Sequence, residues 1–188
     1  MSGTTVAVFG GSFNPPHVAH VLMAVYVLST CEVDEFLVVP TFIHPFAKSL
    51  APFEDRFEMC RLAFGWIPGV SLSRVEQELQ GESRTLRTLQ HLHATHPEWK
   101  LRLVVGSDVL VDAPRWLGFE AIAAIAPLIV LVRVGFEHPS ALAGVIPQVS
   151  STQIRQAMQQ GRSQDVANLV PRRVLQFAME HRLYGAGA

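Results

Sequence analysis

Short apolar blocks recur along the chain, each closed by glycine or proline, with longer stretches between them that carry an apolar residue every three or four positions. The first block, Val6 to Phe9, is rich in β-branched residues and runs into Gly10-Gly11. It predicts a buried strand ending in a tight glycine turn. Asn14 is a good helix N-cap and Pro15 suits the first helical position, so a helix is expected from there to about Thr30. Glu35 to Pro40 reads as a second buried strand. Strand, helix and strand in that order predict a βαβ unit, hence a parallel sheet with a right-handed crossover.

The alternation continues. Residues 41 to 52, with Pro45 and Pro52, read as a loop, and Phe53 to Gly65 as a helix with apolar positions at Phe53, Phe57, Cys60, Leu62 and Phe64. Val70 to Leu72 is a short strand candidate. Ser83 to His96 is a helix with a Leu86, Leu89, Leu92 stripe, and Leu101 to Gly106 is a strong strand. A helix begins near Pro114 and Trp116, Pro127 to Val132 is a fifth strand, and 136 to 148 is expected to be loop. Ser150 followed by Gln153 is a capping-box pattern that opens a helix, Gly161 ends it, and Pro171 to His181 closes the chain as another helix. The expectation is one α/β domain over 1–188, a Rossmann-like doubly wound parallel sheet whose small helical extension starts at 149.

Composition narrows the function classes. At 188 residues and 49% hydrophobic content the chain can bury a real core. A formal net charge of −1 supplies no basic field for nucleic acid. Cys31 and Cys60 form no C-x-x-C pair and read as reduced thiols buried as small hydrophobes. The apolar run Ala121 to Val134 is broken by Pro127 and too short to cross a bilayer, and no basic residue precedes the first apolar block as a leader would require. A cytoplasmic protein without a membrane partner is expected; oligomeric state, a homo-oligomer included, stays open.

The candidate chemistry sits at two helix starts. A glycine turn feeding a helix exposes backbone N–H groups at the positive end of a dipole, which is how phosphate is held. His17 and His20, three apart, share a face there. Singly, each would read as an ordinary helix-start residue; beside an anion nest, the pair points to phosphate chemistry. His-x-x-His lacks further ligands, so no metal site is expected. Neither G-x-G-x-x-G nor a P-loop is present. Far along the chain, Ser151 and Arg155 share a face at a second helix start, and Arg suits bidentate phosphate binding. Asp108, just past the Leu101–Gly106 strand, could accept from ribose hydroxyls or serve as a helix cap. Lys48 alone in its loop and Trp116 alone would mean little; on the residues alone Trp116 reads as core.

Gly-Gly-Ser-Phe-Asn-Pro-Pro-His-Val-Ala-His (10–20) resembles the first motif of the nicotinate or nicotinamide mononucleotide adenylyltransferases, members of the nucleotidyltransferase superfamily with the His-x-Gly-His signature. Ser150-Ser151-Thr152-Gln153-Ile154-Arg155 resembles that superfamily's second signature, and Gly106-Ser107-Asp108, Trp116 and Ser83 to Leu89 match intervening elements. The likeness covers nearly the whole chain. It implies adenylyl transfer from ATP to nicotinate mononucleotide, with nicotinamide mononucleotide the other acceptor to test, and Mg²⁺ carried in with the nucleotide. It implies catalytic roles for His17, His20 and Arg155. ATP would be bound by these three with Gly10, Gly11, Ser12 and Phe13, together with Gly106, Asp108, Ser151 and Thr152. The mononucleotide would meet Thr41, Lys48, Thr85, Trp116 and Arg133. Ala19 stands where the superfamily has glycine, Arg84 where the family often has tyrosine, and Leu117 where an aromatic often follows Trp116. Two rivals remain: another adenylyl- or cytidylyltransferase of the superfamily, and a nucleotide-binding module with little catalysis.

Overall fold

The structure is a computed structural model and describes residues 3–45, 49–110, 118–133 and 141–185. Strand β1 (Thr5–Gly11) leads through helix α1 (Val18–Thr30) to β2 (Glu35–Pro40), and α2 (Phe53–Phe64) leads to β3 (Val70–Leu72). Helices α3 (Val75–Leu79) and α4 (Thr85–Thr95) precede β4 (Lys100–Gly106). The short α5 (Ser107–Leu110), α6 (Phe119–Ile125), β5 (Leu128–Arg133) and β6 (Leu142–Ile146) follow. Helices α7 (Ser151–Gln159) and α8 (Arg172–Glu180), separated by a 3₁₀ turn at Ser163–Val166, form the C-terminal part.

The strands make one six-stranded sheet in the order β3-β2-β1-β4-β5-β6, and every pairing is parallel. Alternate residues of each strand face opposite layers, as the pleat requires. Ala7, Phe9, Phe36, Val38 and Val104 pack with α1, α2, α7 and α8, whereas Val6, Val8, Leu37, Val39 and Val105 pack with α4 and α6. Both faces are covered, which is why the strands read as continuous apolar blocks. The expected doubly wound α/β class is what the chain forms. The order reverses between β1 and β4, and the ends of those strands open the crevice where such folds take ligands.

Three local expectations need correcting. The glycines are not the turn: β1 runs through both, Gly10 opposite Val39 and Gly11 opposite Pro40. The reversal comes at Phe13, with φ 45°. Gly11 leaves room for the Phe13 ring folded back over it, since a Cβ there would lie 3.0 Å from that ring and push it aside. Nor does α1 begin at Asn14. Consecutive prolines disfavour helical backbone in the residues before them, so the N-cap is His17, extended at φ −139°, ψ 174°. Finally, the expected loop at 136–148 contains β6, a parallel edge strand whose register shifts against β5. Its alanine and glycine (Leu-Ala-Gly-Val-Ile) blunt the apolar signal. By contrast, Gly161 does end α7, in the left-handed region at φ 69°.

Candidate active site

Two segments far apart in sequence meet at the carboxyl end of the sheet. Ser151 Oγ donates to the carbonyl of Pro15 at 2.9 Å, and Arg155 Nη1 donates to the carbonyl of Asn14 at 2.7 Å. The start of α7 is thereby latched to the turn that precedes α1. Both segments line one cleft of about 910 Å³, with Ser12, Phe13, His17 and His20 on one wall and Ser151, Thr152 and Arg155 on the other. Arg155 Nη2 also donates to Thr152 Oγ1 at 3.3 Å. Among the described residues, this cleft's lining includes arginine, imidazole and hydroxyl groups and no carboxylate. That donor set suits an anion.

The two imidazoles are stacked, with ring centroids 3.7 Å apart and planes 16° from parallel. His17 is buried and His20 is half-exposed, its ring edged by Phe13 at 5.1 Å. The His17 amide donates to His20 Nδ1 at 3.2 Å. Since Nδ1 accepts, a neutral His20 carries its proton on Nε2, a donor for phosphate oxygen. The amides of α1 differ from the sequence expectation. His17 N–H goes to His20, Val18 N–H to the carbonyl of Leu169 and His20 N–H to the carbonyl of His17. Much of this helix start is satisfied within the chain, so the His17 and His20 side chains suit an anion better than the amides of α1 do. At α7 the cap forms through Ser150 Oγ, which accepts from the amide of Thr152.

Sequence reasoning missed what braces this cleft. Arg56 on α2 is buried, and it donates to the carbonyls of Ala51, Ser12 and Phe42 at 2.9, 3.0 and 3.4 Å. Burial pulls its guanidinium below the usual arginine range. Asn14, expected as a cap, instead accepts at Oδ1 from the Ala51 amide at 3.1 Å and the Tyr184 hydroxyl at 2.8 Å. Nothing in a local pattern could have paired residues 14 and 184.

A second cavity of about 340 Å³ adjoins the first, with Ser12 lining both. Gly10, Gly11, Thr41, Thr85 and Gly106 line it. Thr41 and Thr85, expected at the mononucleotide, therefore share this cavity with Gly10, Gly11 and Gly106, which were expected at ATP. Asp108 is half-buried in the first turn of α5 and lines neither cavity. The wall is tied by Phe42 N–H to Ser83 Oγ at 2.9 Å and Ser83 N–H to the Ile43 carbonyl at 2.9 Å. Lys48 and Trp116 lie outside the described residues, as does Leu117, and so does the Arg133 side chain. Ala19 is buried in the core with α1, so its methyl is not part of the cleft wall.

The sequence profile of the cytidylyltransferase-like family matches residues 8–157. A chain from Anaeromyxobacter dehalogenans named "Probable nicotinate-nucleotide adenylyltransferase" is 46% identical over 186 residues, covering 97% of each chain. One of the same name from Myxococcus xanthus is 42% identical, covering 96% of this chain and 94% of the relative. The chain belongs to the nicotinate-nucleotide adenylyltransferase family. The fold agrees: a Plasmodium falciparum nicotinic acid mononucleotide adenylyltransferase complexed with NaAD superimposes with a TM-score of 0.85 at 20% identity, covering 98% of both chains. For a member of this family the two latched segments are its two signature motifs. Among the described residues no three His, Cys, Asp or Glu side chains gather as metal ligands. No helix among them is long and apolar enough to cross a membrane.

Proposed function

We propose that the protein transfers the adenylyl group of ATP to nicotinate mononucleotide, releasing pyrophosphate and forming the dinucleotide for NAD biosynthesis. What most supports the reading is the pair of latches from Ser151 and Arg155 to the carbonyls of Pro15 and Asn14, which put both motifs on one anion-binding cleft. The acceptor phosphate attacks the α-phosphorus of ATP in line, the bond to the β-phosphate oxygen breaks, and pyrophosphate leaves. Such transfer needs alignment and charge neutralisation rather than a covalent enzyme intermediate. His17, His20 and the backbone of Ser12 and Phe13 hold the ATP phosphates, with His20 Nε2–H toward the charge that develops. Thr152, Arg155 and Ser151, the last through its backbone amide because its hydroxyl is committed to the Pro15 carbonyl, hold the departing β- and γ-phosphates. Asp108 and Gly106 are assigned to the adenosine side, and Thr41, Lys48, Thr85, Trp116 and Arg133 to the mononucleotide.

The cleft's hydroxyl, imidazole and guanidinium donors suit phosphate better than a divalent cation, so Mg²⁺ is proposed to enter bound to ATP, where it would offset phosphate charge. The reading takes the chain as a single domain working in the cytoplasm on small molecules. Pyrophosphate release tests it. Release with ATP and nicotinate mononucleotide, exceeding that with nicotinamide mononucleotide, phosphopantetheine or CTP plus a phosphorylated alcohol, is expected. Nucleotide binding without release with any acceptor would support a binding module instead.

A further inference from the structure

The large cleft is completed by the last described turn of the chain. After α8 the backbone enters a 3₁₀ turn over Leu183–Gly185, and Arg182 (φ 52°) and Tyr184 (φ 60°) both occupy the left-handed region without being glycine. That conformation is unfavourable for residues bearing a side chain and persists only where surrounding contacts hold it. The contact here is specific. Tyr184, half-buried and packed against the core in a turn that lies beside α7 and α8, donates its hydroxyl to Asn14 Oδ1 at 2.8 Å.

Asn14 is the residue on which the cleft converges. It is only 2% exposed. Its side-chain oxygen also takes the Ala51 amide, and its carbonyl takes Arg155 Nη1. The next carbonyl, Pro15, takes Ser151 Oγ. A backbone amide can only donate, so Ala51 fixes which end of the Asn14 amide is the oxygen, and the Tyr184 hydroxyl must donate to that same atom. Burial raises the Tyr184 hydroxyl above its usual range and keeps it a donor, although Arg155 and Arg56 pull the other way.

We propose that Tyr184 is a positioning residue for the transfer, holding Asn14 and through it the carbonyls that anchor Ser151 and Arg155 and so fix the start of α7 and the Arg155 guanidinium toward the polyphosphate. The inference rests on the adenylyl-transfer reading given above. It assigns the C-terminal turn a part in phosphate alignment that neither signature motif contains. Tyr184 lines the cleft, and the role assigned to it acts through its bond to Asn14.

The test compares Tyr184→Phe, which keeps the ring and removes the hydroxyl, in the wild-type and Asn14→Ala backgrounds. In the wild-type background kcat is expected to fall about tenfold, the scale of one hydrogen bond used for alignment, with the KM for nicotinate mononucleotide changed less than about twofold. In Asn14→Ala the same substitution should change kcat by less than about twofold, because residues acting through one another are non-additive. A lowered Tm with kcat unchanged, or the same loss of kcat in both backgrounds, overturns the positioning role while leaving the function intact. Absence of pyrophosphate release by the wild-type chain overturns both.

Discussion

The two cavities on either side of Ser12 are built by different means. The walls of the larger one come from opposite ends of the sequence and are joined by hydrogen bonds to backbone carbonyls, from Ser151 and Arg155 to Pro15 and Asn14. The smaller one is enclosed by strand ends and α4, with Val8, Val39, Leu103 and Ile122 beside Thr85 and Thr88. Its most buried polar pair is Thr88, which donates to Glu76 at 2.5 Å. The first cavity is lined by cationic and hydroxyl groups without a carboxylate; the second sets Glu76, Arg84 and threonines among apolar strand residues. The division suits a reaction in which one substrate brings a polyphosphate to be neutralised and the other a flat ring to be recognised.

Substitutions can break or sharpen this contrast. The largest effect is expected for His20→Ala and Arg155→Ala: if the polar cleft does the chemistry, kcat falls about a hundredfold to a thousandfold, as for loss of one donor to developing charge. Steady-state kinetics should show little change in the KM for nicotinate mononucleotide. Next comes Arg56→Met, which cuts the ties that join Ser12, on both cavities, to Ala51 and Phe42. Urea denaturation should show a loss of about 3 kcal/mol, because three half-buried carbonyls lose a charged donor that is itself buried. Wild-type stability would mean the two walls stand without this brace.

Thr88→Val is smaller and belongs to the second cavity alone. Leaving Glu76 without its hydroxyl partner should cost about 1–3 kcal/mol of stability. It should raise the KM for the mononucleotide and leave that for ATP unchanged; a shift in the ATP value instead would erase the division. The smallest effect is on pH dependence. The Tyr184 hydroxyl is raised above its ordinary 10.0 by burial, so above that pH the unfolded chain gives up a proton that the folded chain keeps. Its contribution to stability is full below about pH 10 and declines as the pH rises further. The buried Cys60 thiol, also raised by burial, adds a similar decline above 9.0. Unfolding followed at alkaline pH should show a shallower loss for Tyr184→Phe, with the Cys60 part remaining.

How much of this was legible in the sequence follows the same line. Val6–Phe9, Glu35–Pro40 and Leu101–Gly106 announce buried parallel strands because both sheet faces are covered. The signatures around His17, His20, Ser151 and Arg155 are local, so their residues could be named before their meeting was seen. β6 was missed because an edge strand with alanine and glycine inside carries little apolar signal. The start of α1 was misplaced because Asn14 and Pro15 fit a cap on propensity, whereas Asn14 is held by partners at 51, 155 and 184. Such long-range hydrogen bonds leave no spacing to read. The same holds for Arg56, whose three acceptors make it part of the framework rather than the solvated face of α2.

A crystal structure with a non-hydrolysable ATP analogue tests the shared cleft most directly. The triphosphate should contact His17 or His20 on one side and Ser151, Thr152 or Arg155 on the other within a single bound molecule. A polyphosphate that engages only one of these two segments, or lies outside the cleft between them, would contradict the account.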